Sequence, residues 1–580
     1  VSWIICSGSG YSAMKDTRNL SIRITDIIIL AAIGVMIGGM VSLALTPPYA
    51  RDALIHHLAV PKLWMKHGGF YETPWAIFSY YPMNIELLYL LCLLIGWDIL
   101  PKLVHLGFAL GTGLLIYRYA KVRLGRRYAL LGLLLWLSTP IVIYVGTIAY
   151  IDLGITFFIT LALLALARFG SPEAPPKKSV LLMAVSLGLA IGSKYTALIA
   201  LPFFLGCLFI AAARKYGSVK ATRYLLALVV VAGLVGSPWY LKNLYLQGNP
   251  LYPFRLPFTA FSAERTADNG AEASLSQRNG AQIEVGGNTL LKRRLLYNEN
   301  MLEILSVPLR IFWQGKDNDA RYFDGVLSIF YLVFLPFAWF ERRERGQVML
   351  FLTFSWFFIL MVFFLQNMRI RYIMPALPPL LIVNLIGAKH LIENAKTPVK
   401  ALAIFAVGAL TAMNFHYLGN RLNTVKPWRY VFGLENRDQF LMRTVGSYPA
   451  VTWINTHLPH DSKVLFLMAG QRGYYCEREY RIAPLFGQRI LDKMVETKDC
   501  EELERLLSRL GVTHLFSNHY LVFNYLAGRY SDGLIQRLRI NMDKSAEKLY
   551  QGGPYSVLAL FHNNGCSPAG LSSKQAGHHE

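Results

Sequence analysis

Ala50-Arg51-Asp52-Ala53-Leu54-Ile55-His56-His57-Leu58 follows directly on an apolar run, Ile24 to Leu45. A run of that length crosses the hydrocarbon core of a bilayer as a helix. Asp52 therefore sits where a membrane helix meets water on its far side. A carboxylate, a guanidinium and two imidazoles make poor anchors there and good chemistry.

Similar runs recur through the 580 residues, of which 54% are hydrophobic and only 16% charged. That balance predicts a polytopic α-helical membrane protein. The formal net charge is +23. In such a chain the excess marks cytoplasmic loops held against anionic lipid. No polar segment combines a basic patch with interleaved aromatics, so nucleic acid is set aside as a partner. The six cysteines include no CxxC pair. Cys92 and Cys207 lie in apolar runs and read as packing residues. Cys476 and Cys500 share one polar segment, and an oxidising compartment would allow them to pair. Residues 1–13 differ in character from the rest of the chain. Met14 opens a basic lead-in of Lys15, Arg18 and Arg23, which makes it an alternative start.

Basic segments stay in the cytoplasm. The lead-in, residues 1–23, is therefore inside and Asp52 outside. The outer loop 46–99 carries Trp64, Trp75 and several Tyr, which suit a membrane interface. Asn84 to Trp97 is apolar but short. Leu100 to Tyr119 is longer and runs into Lys121, Arg123, Arg126 and Arg127. Only one of these two runs can cross if Asp52 is outside and Arg126 inside, and the crossing is assigned to 100–119. Further crossings are expected at 128–145, 152–167, 180–191, 197–212, 225–235, 326–340, 349–365, 375–388 and 402–413. That makes about eleven in a membrane domain spanning 24–416. A second outer loop, 238–323, has a middle, Ser262 to Asn288, rich in Gly, Ala, Ser, Asn and Glu and expected to be mobile. Residues 417–565 change character. Val464 to Gly470 reads as a buried strand, 501–510 as an amphipathic helix, and 513–516 and 555–561 as strands. This order predicts a small soluble α/β domain on the outer face. The tail, 566–580, is polar and expected to be disordered.

Several polar constellations mark the outer ends of the runs. An ionisable group in hydrocarbon costs roughly 2.5–3.5 kcal/mol on insertion scales, so it usually has a partner or a function. Asp52 and His56 are four apart and share a face if this stretch is helical. That suits a general base or, with His, a metal ligand; the plain reading is an interfacial cap with two surface His. Glu86 opens the short apolar helix. Asp152, in Ala149-Tyr150-Ile151-Asp152-Leu153-Gly154, opens another run. Each alone reads as an acid favoured at a helix N-terminus, but three carboxylates at outer ends point to a shared site. Lys194, in Gly192-Ser193-Lys194-Tyr195-Thr196, stands at an outer end against the charge rule. A lipid phosphate would explain it, as would snorkelling. Ser237-Pro238-Trp239-Tyr240-Leu241-Lys242-Asn243 opens the second loop, and Gln366 to Tyr372 adds Arg369 and Arg371. Arginine's planar fork suits phosphate. Together Lys194, Lys242 and Arg371 offer cations for a phosphate or pyrophosphate.

Taken in order, these motifs resemble the GT-C superfamily of membrane glycosyltransferases. The branch is the bacterial one similar to protein O-mannosyltransferases and the lipid A aminoarabinose transferase family. The residues that carry the resemblance are Asp52 to Leu58 after the first span, Tyr150-Ile151-Asp152 after Ser138-Thr139-Pro140, Gly192 to Tyr195, the block from Pro238 to Pro253, Gln366 to Pro375, and the strand Val464 to Gly470. It implies a polyprenyl-phosphate sugar donor, transfer on the periplasmic side of an inner membrane, and inversion at the anomeric carbon. It implies that Asp52 is the acid of the first outer loop, acting as base or organising the acceptor. Asp152 is then the second acidic position, and Lys194 contacts the lipid phosphate. Glu86 and His57 complete the expected catalytic set. The first motif departs from the family: one acid is followed by paired His, where the family has two adjacent acids.

The physical mechanism is consistent with that expectation. Cations beside a leaving phosphate stabilise its growing charge, and a carboxylate can take the acceptor hydroxyl's proton. Neither step demands a metal, so no metal and no cofactor is expected, with a divalent ion as the variant. The sugar stays open between hexose and pentose, and the acceptor between lipid, glycan and protein. The alternative is a lipid or polysaccharide transporter or flippase, which would favour paired repeats and helices broken at mid-membrane. A non-catalytic receptor would leave the clustered charges without a role.

Overall fold

The computed structural model describes residues 24–169, 175–254, 289–483 and 488–561. The lead-in with Met14, the expected mobile stretch Ser262 to Asn288 and the polar tail lie outside the described residues. The chain forms two compact units. One holds the first span up to Pro48, Tyr81–Pro250 and the later chain to Glu435. The other holds Tyr49–Tyr80, a short piece from Leu251, and the chain from Asn436.

Among the described residues of the first unit, eight helices are long and apolar enough to cross a membrane. They are Ile24–Ala44, Leu100–Leu124, Asp152–Phe169, Tyr195–Tyr216, Ser218–Gln247, Arg342–Leu365, Ile370–Asn394 and Thr397–Val425. A ninth forms if Arg126–Ser138 and Pro140–Gly146, bent by 62°, count as one. The bend has a local cause. Pro140 forces Thr139 out of helical geometry, to ψ 124, and a new helix starts at the proline.

The remaining two of the eleven expected crossings differ in form. Val180 to Ile191 lies in a helix of 16 residues, Pro176–Ile191, about 24 Å long against a core of about 30 Å. Residues 326–340 break into the short turns Phe330–Val333 and Leu335–Ala338. Pro336 cannot continue a ladder of hydrogen bonds. Asn384 takes up the groups freed by the break: its Nδ2 donates to Tyr331 O at 2.6 Å, and its Oδ1 accepts from Phe334 N–H at 3.0 Å. Asn84–Leu94 has only 11 residues, in keeping with a helix that does not cross.

The stretch expected to open the second loop is still helical. Ser237-Pro238-Trp239 lies inside the helix Ser218–Gln247, which closes on Gly248 in the left-handed region. Pro238 frees the carbonyl of Leu234, and the Ser237 hydroxyl donates to that oxygen at 3.3 Å. The helix therefore passes through its proline.

The second unit is built on a five-stranded sheet in the order β2-β1-β3-β5-β4. The strands are β1 (Lys463–Leu467), β2 (Glu479–Ile482), β3 (His514–Asn518), β4 (Ala546–Gly552) and β5 (Tyr555–Leu560). β1 pairs in parallel with β2 and β3, while β5 pairs antiparallel with β3 and β4. Side chains alternate across β1. Leu465 and Leu467 pack on the helices Gln488–Glu496 and Cys500–Arg509 through Leu491, Met494, Leu503 and Leu507. Val464 and Phe466 pack on the helix Tyr448–His457 through Val451 and Ile454. Both faces are covered, which is why β1 reads as an unbroken apolar run. Cys476 is a buried free thiol and does not pair with Cys500.

The segment 49–80 packs on this domain. Lys62 and Lys66, one turn apart on the helix Ala59–His67, both reach Glu477 at 2.6 Å. Tyr474 N–H donates to Leu54 O at 3.2 Å, and Trp75 meets Tyr480 edge-on with centroids 5.3 Å apart.

Candidate active site

The two ends of the helical unit differ in chemistry. At one end Asp26, in the first turn of Ile24–Ala44, approaches Arg126 at 3.6 Å, and Arg123 pairs with Glu344 at 2.7 Å. At the other end lie the C-terminus of Ile24–Ala44 and the N-terminus of Leu100–Leu124. Lys102, almost wholly buried, ties them together: its ammonium donates to Leu43 O at 3.0 Å, to Thr46 O at 2.8 Å and to Thr46 Oγ1 at 2.9 Å. A cation there meets carbonyls that a helix C-terminus leaves without intrahelical donors.

One turn further along the same helix, His105 is fully buried. Its Nδ1 lies 2.8 Å from Val145 O and 2.9 Å from Ile148 O. Its Nε2 accepts from Leu153 N–H at 3.0 Å. An Nε2 that accepts must be bare, so the proton is on Nδ1 and the ring is neutral. The imidazole thus joins the end of Pro140–Gly146 to the first turn of Asp152–Phe169. Asp152 is held there beside the amide that His105 caps.

Asp152 is buried, and its Oδ1 accepts from Lys194 Nζ at 2.7 Å. Its Oδ2 makes no hydrogen bond among the described residues. Lys194 reaches it from the turn that ends Pro176–Ile191, with its ammonium 4.7 Å from the centre of the Tyr372 ring. Arg371 lies over Tyr150 at 5.2 Å and over Tyr372 at 5.3 Å. Lys194 and Arg371 both act electrostatically on Asp152, and Asp152 and Lys194 both act on the buried Glu86.

The helix that carries Glu86 is anchored at its start. Asn84 N–H donates to Gly192 O at 2.9 Å, and the Asn84 Oδ1 accepts from the Trp239 indole at 2.8 Å. A Cβ at position 192 would stand 2.2 Å from Asn84 Nδ2, so only glycine allows this approach. Tyr89 donates to Tyr150 O. Lys242 packs over Trp239, 5.1 Å from its ring centre. Tyr195 accepts from Asn243 Nδ2 at 2.9 Å, and Tyr240 donates to Ile191 O at 2.8 Å.

Of the residues marked in the sequence, the structure gathers Glu86, Asp152, Lys194 and Arg371 into one cluster. Lys242 joins it through Trp239 and Asn84. Asp52 and His57 are carried by the other unit. There Ala53–His57 forms a π-helical turn closed by Leu58 N–H to Ala53 O at 3.0 Å. The two imidazoles lie 4.0 Å apart, and His56 stacks on Phe78 at 4.6 Å. Such single π-turns often occur at functional positions. Among the described residues no three His, Cys, Asp or Glu side chains converge as metal ligands.

Sequence reasoning missed His105, Lys102 and Asn84. Two polar side chains three apart near the start of an apolar run were the available signal for the first two.

Known proteins give this arrangement a context. The family model described as dolichyl-phosphate-mannose-protein mannosyltransferase matches residues 99–240, which carry His105, Asp152 and Lys194. No curated protein matches the chain. Among solved structures, ArnT from Cupriavidus metallidurans bound to undecaprenyl phosphate is similar with a TM-score of 0.54 at 14% identity, over 92% of this chain and 97% of that one. The same protein in the apo state matches with a TM-score of 0.51 at 14% identity, over the same shares of the two chains. The Archaeoglobus fulgidus oligosaccharyltransferase in complex with Zn and sulfate matches at 0.51 and 12% identity, over 89% of this chain and 71% of that one. The chain shares its fold with these proteins. Within this fold the paired Asp152 and Lys194 lie at the helical end opposite Arg126.

Proposed function

We propose that the protein is a membrane glycosyltransferase that moves a sugar from a polyprenyl-phosphate donor to an acceptor on the periplasmic side of the inner membrane. The observation that supports this most is the buried Asp152–Lys194 ion pair with Arg371 beside it, at 2.7 Å between Nζ and Oδ1. Two cations on aromatic faces, at the end of a helical bundle, suit a phosphate at a membrane surface. The Cupriavidus protein of like fold is described with undecaprenyl phosphate bound. Lys194 and Arg371 hold the donor phosphate, with Lys242 at the margin. Asp152 orients Lys194, and Glu86 sets the charge balance of the site. Asp52 takes the proton of the acceptor hydroxyl, with His57 in support. Its place immediately after the first span favours that role.

In the reaction, the acceptor oxygen bonds to the anomeric carbon as the bond from that carbon to the phosphate oxygen breaks. The bonding pair leaves with the phosphate, where Lys194 and Arg371 offset the new charge. The acceptor proton passes to the Asp52 carboxylate. A single displacement of this kind inverts the anomeric centre. The arginine-rich and lysine-rich end, with Arg126 and Arg127, lies in the cytoplasm under the charge rule.

The test is transfer of radiolabelled sugar from a polyprenyl-phosphate donor by the purified protein in nanodiscs. Wild-type transfer that is lost in Asp52→Asn, with donor binding retained, supports the assignment. Undiminished transfer by Asp52→Asn removes Asp52 as the base. Absence of transfer from any such donor, with net movement of the lipid between leaflets, would favour the flippase.

A further inference from the structure

At the end of the helical unit that carries Arg126, a cavity of about 450 Å³ lies among the ends of five helices. Asp26 stands in the first turn of Ile24–Ala44, and Leu124 closes Leu100–Leu124. Arg126, Arg127 and Tyr128 open Arg126–Ser138. Glu393 belongs to the last turn of Ile370–Asn394, and Lys400 to the first turn of Thr397–Val425. All of these residues line the cavity. Where several membrane helices end together, their ends stand at the depth of the lipid headgroups. The cavity is at the opposite end of the bundle from Asp152 and Lys194 and takes no part in sugar transfer.

Some of its charged groups are answered within the wall, and others are not. Glu393 interacts with the Tyr128 hydroxyl. Arg126 Nε stands 3.6 Å from Asp26 Oδ2, an ion pair too long for a hydrogen bond. Asp26 is buried, and its Oδ1 makes no hydrogen bond among the described residues. Arg127 and Lys400 are exposed on the rim and form no ion pair among the described residues. The wall therefore holds an acceptor that lacks a donor, and the rim holds donors that lack an anion. A simple anion would suit the rim and be repelled by Asp26; a simple cation would meet the reverse. A zwitterion with a primary ammonium beside a phosphate suits both. Its ammonium brings three N–H donors, and its phosphate accepts from Arg and Lys. At headgroup depth the solute of that chemistry is a phospholipid with an ethanolamine head. Ile404 lines the cavity and, with Ile27, Ile28 and Phe405 near the same helix ends, presents exposed apolar surface for the acyl chains.

We propose that this cavity binds the phosphoethanolamine head of a membrane phospholipid. The ammonium donates to Asp26 Oδ1, and the phosphate meets Arg127 and Lys400. The site is independent of sugar transfer, which the radiolabel assay reports separately.

The experiment titrates the full chain, delipidated in detergent, by native mass spectrometry. The probes are dioleoyl phosphatidylethanolamine, phosphatidylglycerol and phosphatidylcholine. All three carry the phosphate, and only the first carries ammonium N–H donors. Phosphatidylethanolamine is expected to fill its first site about tenfold more tightly than either of the others. Asp26→Leu should erase that preference while phosphatidylcholine binding is kept. Arg127→Ala with Lys400→Ala, both on the surface, should weaken all three lipids by about tenfold. Circular dichroism should be unchanged in both variants. Soluble O-phosphoethanolamine separates the sources: displacement of the lipid at equal concentration assigns the free ester to the site, and failure to displace it assigns the lipid. Equal first-site binding of the three lipids, tighter binding of phosphatidylglycerol, or an ethanolamine preference unchanged in both variants overturns the proposal.

Discussion

Lys194 has its charge answered by Asp152 at 2.7 Å and by the face of Tyr372. Removing that charge should cost what one charge-assisted contact contributes, about 1.5–3 kcal/mol. Lys194→Met should therefore lower kcat/KM for radiolabelled transfer by roughly ten- to hundredfold, with Lys194→Arg in between. His105 acts at a different level. His105→Phe leaves the Leu153 amide and two carbonyls without their imidazole, at about 1–3 kcal/mol for a buried polar group so stranded. Its thermal unfolding midpoint should fall, and His105→Asn should recover part of the loss. Lys194, Asp152 and Arg371 were legible in the sequence because an ionisable group beside an apolar run carries a visible cost. Lys102 and His105 were not. They lie within the run 100–119, and their partners are backbone groups some 40 to 60 positions away.

At the scale of elements, apolar length located the helices but not their breaks. Residues 326–340 have the hydropathy of a span, and their interruption depends on Asn384, whose amide completes the broken backbone from another helix. Asn384→Leu should strand those groups and lower the unfolding midpoint more than Ser237→Ala does, since Ser237 reaches a single carbonyl. Differential scanning of the two variants in the same detergent checks the order. Gly192 belongs here too. Gly192→Ala should push Asn84 away, and crowding of this kind costs about 1–3 kcal/mol. Transfer should fall while helical content, read by circular dichroism, is kept. In the second unit the apolar β1 and β3 were readable, and so was β5, the last strand in the chain. β2 and β4, Glu479–Ile482 and Ala546–Gly552, carry charges on edge positions and show little alternation.

Across the whole molecule, the segment 49–80 read as an outer loop of the membrane domain, yet it folds with residues beyond Asn436. Nothing local marks the partnership, because Lys62 and Glu477 are far apart in the chain. Burial acts to raise the Glu477 carboxyl pKa, and the bonds from Lys62 and Lys66 outweigh it, so the group is held below its usual range. A depressed carboxylate stabilises fully above its unfolded value, about 4.3, and that stabilisation is lost as pH falls through the folded value. Glu477 is half exposed, so screening limits the effect to under about 1 kcal/mol. Limited proteolysis within 49–80 should therefore quicken between about pH 6 and about pH 3. Glu477→Gln should show the faster cleavage already at the higher pH.

The same interleaving sets a timetable for biogenesis. Leu63 and Trp75 leave the ribosome about 360 to 370 residues before Asn436. At ~5–20 residues per second the early segment waits for roughly tens of seconds. During that interval its apolar face has no native cover, which makes it a natural client for a holding chaperone. A chain truncated before Asn436 would keep such a client permanently.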